Sequence, residues 1–514
     1  MQPQVFTHAR MSSDEVTAHL TDSGFDIGPP STVRRTVLDT FDGRLAAAGM
    51  RLELREGDHW ELVLTDDASL PAHLAVTDVP SSAASLPAGP IRARLGPVLG
   101  VRALLPFVSV TARRLVAVRR DGAGKIHVRV VVQDRLAIEG GGRASPAWGV
   151  EVDELEGYDK DARQARAVLA SLGLKARPIG LLDLIADRAH VDLRGYDGSP
   201  SVALSREEPA GDGFRRVLVR LADTIDANWD GTVHALDPEF LHDLRVAVRR
   251  TRSVLAQAKG VVPSAERARF REEFGWLGSV TGPARDLDVY VTEWDGYVAS
   301  LGPETAGQLE PVLAHIAGRR REEHAALAAT LTSDRYRRVQ AAWRAWLDPE
   351  GEEPGQQAPS AARPLGSVVA LRVAAAQEQV VMRGRSIGPD SPATDLHELR
   401  KDAKKLRYLL ECFGGVLAGA PRKAFVQQLK ALQDNLGEHQ DTEVHSDRLR
   451  EISRELHREP GVTAETLLAM GRLTEHFEQR RQAARDEFAQ RFAAYDTKRT
   501  RRNLDDLIGS ATGR

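Results

Sequence analysis

His242-Asp243-Leu244-Arg245-Val246-Ala247-Val248-Arg249-Arg250-Thr251-Arg252 is the stretch that decides how this chain is read, because the chain states it twice. The second version is His397-Glu398-Leu399-Arg400-Lys401-Asp402-Ala403-Lys404-Lys405-Leu406-Arg407. His242 corresponds to His397, Arg245 to Arg400, Arg249 to Lys404, Arg250 to Lys405 and Arg252 to Arg407, each pair 155 positions apart. Basic type is kept at each of the four arginine and lysine pairs just named, while the residues between them change. On a helix, His242, Arg245, Arg249 and Arg252 fall within an arc of about 80°. Leu241, Leu244, Val248 and Leu255 form the adjacent apolar stripe. The helix is therefore expected to bury one side and to line something with a row of cations. Four arginines against Asp243, and five Arg/Lys against Glu398 and Asp402, leave each segment at net +3. Such a row repels itself unless it is solvated or matched by an anion.

The whole chain sets the frame. Its 514 residues predict two or three domains. With 42% hydrophobic and 28% charged residues it has the composition of a soluble globular protein. A net charge of −3 excludes a general bias toward polyanions, so any anion site must come from local clustering. The single cysteine, Cys412, excludes an internal disulfide framework and a cysteine-rich zinc site, and reads as a buried, inert thiol. The absence of an 18-residue apolar run and of a charged-then-apolar leader predicts a soluble, cytoplasmic protein. Abundant Arg, Ala and Gly with few aromatics suggests a bacterial source.

Residues 1–195 read as mixed α/β. Met50–Thr65 alternates around a turn at Glu56-Gly57-Asp58, and Val108–Val118 pairs with Lys125–Asp134 around Asp121-Gly122-Ala123-Gly124. Trp148–Leu155 is one more strand, Asp159–Leu174 a helix, and Leu181–Leu193 a helical stretch. Faces of mixed charge on several strands either meet water or line the lumen of a barrel.

Leu38-Asp39-Thr40-Phe41-Asp42, the run Leu45 to Arg55 and Glu151-Val152-Asp153-Glu154-Leu155 resemble the CYTH domain, a triphosphate-tunnel fold. The resemblance implies an antiparallel barrel, and in that family an opening E-x-E-x-K holds the metal that activates a triphosphate. Here the opening is Gln2-Pro3-Gln4-Val5-Phe6-Thr7-His8-Ala9-Arg10, without a carboxylate. The expected lysine after the hairpin is replaced by Leu64-Thr65-Asp66. Hard cations want carboxylate oxygens. Glu53, Glu61, Asp134, Glu151 and Asp153 are the acids left to hold Mg²⁺ or Mn²⁺, so a catalytically degenerate tunnel is expected, with a metal only if the domain is active.

Asp197 to Gly213 reads as a linker, and helices dominate from Phe214. The repeat extends beyond its signature: Phe270, Leu277, Gly282, Asp286 and Val289 map to Phe425, Leu432, Gly437, Asp441 and Val444. Gly282 and Gly437 are each expected to end a helix. His315, Arg319 and Arg320 recur as His476, Arg480 and Arg481 after a six-residue insertion. Residues 349–365 read as a linker between the copies.

His242 to Arg252, Arg285-Asp286-Leu287-Asp288-Val289 and Leu432-Gln433-Asp434-Asn435-Leu436-Gly437-x-His439-Gln440-Asp441 resemble the CHAD domain, the conserved-histidine α-helical domain, over residues 214–510. The resemblance implies two four-helix bundles (214–348 and 366–510) related by pseudo-twofold symmetry, whose basic helices face a shared channel for inorganic polyphosphate. It also implies a common fusion with an N-terminal CYTH-like domain.

The residues suit that ligand, because a flexible polyanion without bases asks only for charge and donors along a length. The expected polyphosphate-binding residues are His242, Arg245, Arg249, Arg250, Arg252, His397, Arg400, Lys401, Lys404, Lys405 and Arg407, with Arg319, Arg320, Arg480 and Arg481. Against this stands simple salt bridging to Asp286, Asp288, Asp434 and Asp441. A metal between His242 and His397 is opposed by the adjacent cations. His439 and His445 are expected at the surface or at helix ends. Tyr408 alone offers stacking, which argues against sequence-specific nucleic-acid binding. The sequence therefore predicts a non-enzymatic polyphosphate-binding protein of the cytoplasm, at polyphosphate granules and with granule proteins as partners. The alternative is a metal-dependent triphosphatase or polyphosphatase with the helical region as substrate handle.

Overall fold

A computed structural model describes residues 4–513, apart from 9, 58, 67–70, 140–141, 144–147, 154, 156, 189–194, 349–357, 458, 460 and 461. Several sequence expectations fall partly outside the described residues: the turn at Asp58, Glu154 of the acidic strand, the end of the helical stretch past 188, and the linker at 349–357. The chain divides into two compact units, residues 1–197 and 198–514.

The N-terminal unit is one antiparallel sheet of strands β1 (Val5–Thr7), β2 (Asp26–Ile27), β3 (Ser31–Asp39), β4 (Met50–Glu56), β5 (Trp60–Asp66), β6 (Ala72–Val76), β7 (Leu105–Arg120), β8 (Ile126–Ile138), β9 (Gly142–Arg143), β10 (Trp148–Asp153) and β11 (Lys175–Arg177). Its helices are α1 (Ser13–Asp22), α2 (Arg44–Ala47), α3 (Pro90–Leu99), α4 (Asp159–Ser171) and α5 (Leu181–Arg188). The strand order is β11-β1-β10-β8-β7-β3-β4-β5-β6, with β2 added to β7 and β9 to β8. The expected antiparallel sheet is present, open rather than closed among the described residues, with β11 and β6 at its ends. The β7–β8 hairpin turns where expected. Asp121 Oδ1 accepts from the backbone of Ala123 and Lys125, and Gly124 takes φ +79°.

The mixed-charge face is covered only in part, with the Glu61 and His73 side chains at its β5–β6 end 40% and 50% exposed. Leucines of β4 and β5 pack on α3, and Leu115, Val128, Val130 and Val132 pack with α1 and α4. On the opposite face, Val33, Val37, Val108 and Val110 pack against the apolar side of α5. Arg35 and Glu53, whose strand positions place them on this second face, are buried. Asp39, from the stretch that resembles the tunnel family, accepts from the backbone of Thr40, Leu45 and Ala46 and so fastens α2.

The C-terminal unit is helical: α6 (Ala210–Val233), α7 (Pro238–Gln257), α8 (Ser264–Val280), α9 (Gly282–Ala299), α10 (Pro303–Gln308), α11 (Glu310–Leu331), α12 (Asp334–Leu347), α13 (Leu365–Ser386), α14 (Ala393–Cys412), α15 (Gly419–Leu456), α16 (Ala464–Tyr495) and α17 (Lys498–Thr512). Helix α6 begins at Ala210, a few residues before Phe214, where the sequence reading started the helical region. The expected break at Gly282 is present: Thr281 closes α8, and Pro283, lacking an amide proton, stands at the start of α9. At Gly437 the expected break is wrong. Glu438 follows where the first copy has Pro283, and α15 continues through both residues for 38 in all.

The two copies interlock. One core runs through α6, α7, α8 and α12 of the first copy and α13, α14, α15 and α17 of the second. A second core joins α9 and α11 to the C-terminal end of α15 and the N-terminal half of α16. Residues related by the 155-residue offset meet their own equivalents: Pro209 bridges to Pro364, and Tyr290 donates to the carbonyl of His445 at 2.7 Å. Equivalents can touch only at a symmetry axis, so these contacts trace the pseudo-twofold. No helix of the described residues is long and apolar enough to cross a membrane.

Candidate functional site

Helices α7 and α14 carry the duplicated stretch, and each is held by its apolar stripe: Leu241, Leu244 and Val248 in one, Leu396, Leu399, Ala403 and Leu406 in the other, all buried. Asp237 caps α7 by accepting from the backbone of Glu239 and Phe240. The remaining face of each helix lies over the following helix of its own copy. The guanidinium of Arg245 sits over Gly282 and that of Arg400 over Gly437, with the Cβ of a larger residue placed 3.5 Å from the nearest nitrogen in both copies. Arg252 lies over Gly278, and Arg407 reaches Gln433, the equivalent position, at 3.4 Å.

At the axis the two helices meet. Arg249 Nε donates to Tyr408 Oη at 3.3 Å, and Arg250 pairs with Glu411 at 2.7 Å. Lys404, the equivalent of Arg249, has Arg400 and Arg249 among its electrostatic neighbours and no hydrogen-bond partner among the described residues. Burial, then Arg400 and Arg249, push the Lys404 ammonium down to about 8. Burial, then Arg249, push Arg245 down to about 10. Burial leads both shifts, and the nearby carboxylates, Asp441 for Lys404 and Asp286 for Arg245, offset them only in part.

The two copies hold their leading arginine differently. Arg245 Nη1 donates to the carbonyl of Gly278 at 3.0 Å and to Thr281 Oγ1 at 2.9 Å, neutral acceptors that fix the group without cancelling its charge. Arg400 forks Asp441 at 2.9 and 3.1 Å.

The structure gathers Arg245, Arg249, Arg400 and Lys404, and it engages the other named cations elsewhere. Lys401 pairs with Glu398 at 2.7 Å and Lys405 with Asp402 at 2.8 Å, on the outer side of α14. Arg407 shares Glu411 with Arg250. Arg320 binds buried Asp288 at 2.6 Å, Arg480 binds Glu438 at 2.7 Å and Arg481 binds Glu478 at 2.7 Å. Arg319 lies 3.8 Å from both Glu322 and Glu455. Of the acids set against the row, Asp441 and Asp288 do form pairs, while Asp286 and Asp434 are exposed. His242 is half-buried on α7, and His397 Nδ1 meets the Gln440 side-chain oxygen.

His439 and His445 are not surface or helix-end residues. Because α15 is unbroken, both turn inward and are buried; His445 Nε2 lies 3.0 Å from Tyr297 Oη. Burial lowers the pKa of each. Sequence reasoning missed Glu411, whose partners come from both copies, and Arg448, which lies near Asp286. Neither belongs to the duplicated pattern: the equivalents of Glu411 and Arg448 are Ala256 and Glu293.

In the N-terminal unit, four of the five candidate metal ligands, Glu53, Glu61, Asp134 and Glu151, are already paired. Arg35 forks Glu53 and donates to Glu151 at 2.7 Å, and Arg55 donates to Glu53 at 3.0 Å. Glu151 also accepts from Gln133 at 2.9 Å, Asp134 pairs with Arg113 and Glu61 with His73. Asp153 is pushed up by burial and, unlike Glu53, has no arginine bonded to it among the described residues. No group of three His, Cys, Asp or Glu side chains fit to hold a metal ion occurs among the described residues. These residues do not fit the metal site that the tunnel resemblance implies.

Residues 216–450 match the CHAD domain family. This region is a CHAD domain. The match covers α6 to most of α15 and stops before α16 and α17, so the CHAD domain as matched contains both copies of the basic helix. Two curated Mycobacterium tuberculosis proteins, both uncharacterized, are 28% identical over 260 residues, 49% of this chain and 47% of theirs. The chain thus spans about half the length of the curated relatives it matches. Among solved structures, a CHAD domain from the plant Ricinus communis is similar at 25% identity over 60% of this chain and 95% of that one (TM-score 0.43). A Hippeastrum protein with a dominant triphosphatase activity is similar at 16% identity over 38% of this chain and all of that one (TM-score 0.27).

Proposed function

We propose that this protein binds inorganic polyphosphate through the CHAD domain, along the seam where α7 and α14 meet at the pseudo-twofold axis, and does so without hydrolysing it. The observation that carries the reading is the meeting of Arg249 and Lys404 beside Arg245 with no carboxylate bonded to any of the three among the described residues. A cationic seam of this kind destabilises the free protein and is relieved by an anion of matching length. Arginine forks take phosphate oxygens in pairs, and the lysine acts as a point charge. Lys401, Lys405, Arg319, Arg320, Arg480 and Arg481 act at most as an outer field, since each already has an acidic neighbour. The N-terminal unit serves as a scaffold, because Arg35 occupies the carboxylates that a catalytic cation would need. Granule-bound polyphosphate is the cellular form that such a seam would find, in a cytoplasmic setting.

The test is equilibrium binding of long-chain polyphosphate at several salt concentrations, on wild type and on Arg245→Ala/Arg249→Ala/Arg400→Ala/Lys404→Ala. Free phosphate is assayed in the same samples with Mg²⁺ or Mn²⁺. Tight, salt-sensitive binding lost in the variant, without phosphate release, is the expected result. Equal binding by the variant sinks the assignment of the seam, and released phosphate sinks the scaffold reading of the N-terminal unit.

A further inference from the structure

The duplicated site is symmetric in backbone and asymmetric in charge. Arg245 and Arg400 occupy equivalent positions, each over a glycine of the following helix. Arg245 is steadied by a carbonyl and a hydroxyl and keeps its full charge available. Arg400 gives both terminal nitrogens to Asp441. The equivalent carboxylate of the first copy, Asp286, makes no hydrogen bond to Arg245 among the described residues. We propose that Asp441 is an internal counter-anion that a phosphate must displace before Arg400 can bind it, so that the two halves of the site load in order: Arg245, Arg249 and Lys404 first, Arg400 afterwards. This rests on the polyphosphate reading of the seam.

The displacement is physically easy. The Asp441 side chain is 58% exposed whereas that of Arg400 is 15% exposed, so the carboxylate can swing into water while the guanidinium stays seated on Gly437. Exposed ion pairs are weak, and a phosphate oxyanion offers the same bidentate geometry. The exchange leaves the total number of charges at the seam unchanged and moves one carboxylate outward. In the free protein, the fork offsets part of the repulsion among Arg400, Lys404 and Arg249. The second copy thus protects the empty site, and the first copy captures the ligand.

Four single variants of the full chain, Asp441→Asn, Asp286→Asn, Arg400→Ala and Arg245→Ala, test this against wild type and the Arg249→Ala/Lys404→Ala double variant, with long-chain polyphosphate as the probe. Asp441→Asn is expected to tighten binding about fivefold to tenfold and to steepen the dependence of log affinity on log salt by about one, because one more cation is free to release its counter-ions. Asp286→Asn should tighten binding by less than twofold. Arg245→Ala should weaken binding at least several-fold more than Arg400→Ala. Thermal melts without ligand should show Asp441→Asn less stable than wild type, with the loss recovered in saturating polyphosphate. Equal tightening by Asp441→Asn and Asp286→Asn would mean that only net charge matters, and overturns the proposal. So does equal weakening by the two arginine variants. Should wild type and Asp441→Asn both bind no better than Arg249→Ala/Lys404→Ala, it is the polyphosphate reading itself that fails.

Discussion

Each unit holds a cluster of arginines on a covered face, and the clusters have been finished in opposite ways. In the N-terminal sheet, Arg35 is enclosed by Glu53 and Glu151, and Arg55 shares Glu53. That pairing drives the Glu53 carboxyl far below the usual carboxylate range. Glu151 and Glu53 in turn hold the Arg35 guanidinium above its ordinary value despite its burial. In the helical unit, burial pushes Arg245 and Lys404 the other way from Arg35, toward loss of their protons. A matched arginine is part of the fold; an unmatched one is poised for something that comes from outside. The direction of the shift separates the two cases where a count of cations would not.

The comparison can be broken most forcefully in the sheet. Arg35→Ala leaves buried Glu53 and half-buried Glu151 without their main partner and should destabilise the N-terminal unit by about 3–5 kcal/mol. Hydrogen exchange read over β3, β4 and β10 checks this, and polyphosphate binding should be unchanged. In the seam, Arg249→Ala/Lys404→Ala should remove about 3 kcal/mol of binding, roughly a hundredfold in affinity, since hydrogen bonds to charged groups are worth about 1.5–3 kcal/mol each. Its melting temperature should not fall.

The third effect is one of pH, and its sign is specific. Lys404 has a folded pKa of about 8, below the ordinary 10.5. Between those values the unfolded chain holds a proton that the folded chain has lost, so stability without ligand rises with pH across that window. Polyphosphate favours the charged ammonium, so affinity falls as pH passes about 8. Titration of binding and melting temperature from pH 7 to 10 should show the opposed trends, and Lys404→Arg should flatten both. The smallest effect belongs to Lys401→Ala and Lys405→Ala, whose exposed ammonium groups already face Glu398 and Asp402. Each should weaken binding by less than threefold at physiological salt.

Much of this was legible in the sequence because duplication repeats a constraint. The common spacing of Arg245/Arg400 and Arg249/Lys404 marked the two basic helices and the fixed offset marked the duplication, while the pseudo-twofold came from the resemblance to the CHAD domain. What one copy alone possesses stayed hidden. Pro283 and Glu438 decide whether a helix breaks or continues, and with the helix unbroken, His439 and His445 turn inward. Partner choice was likewise invisible: the same arginine meets a hydroxyl in one copy and a carboxylate in the other, because that depends on where neighbouring helices bring Thr281 and Asp441. In the N-terminal unit, alternation identified the charged strand faces. It could not show that α5 would lie on that side, since pattern alone does not say which face of a sheet is covered.

The contacts between equivalent residues have a consequence for the halves taken singly. Pro209 meets Pro364, Arg249 is close to Lys404 and Tyr290 meets His445. Each copy therefore presents a surface whose natural complement is a second version of itself. That is the geometry of an isologous dimer joined by a peptide link. Residues 198–348 produced as a separate chain should pair with themselves around the same axis, and the pair would set Arg249 of one protomer beside Arg249 of its partner.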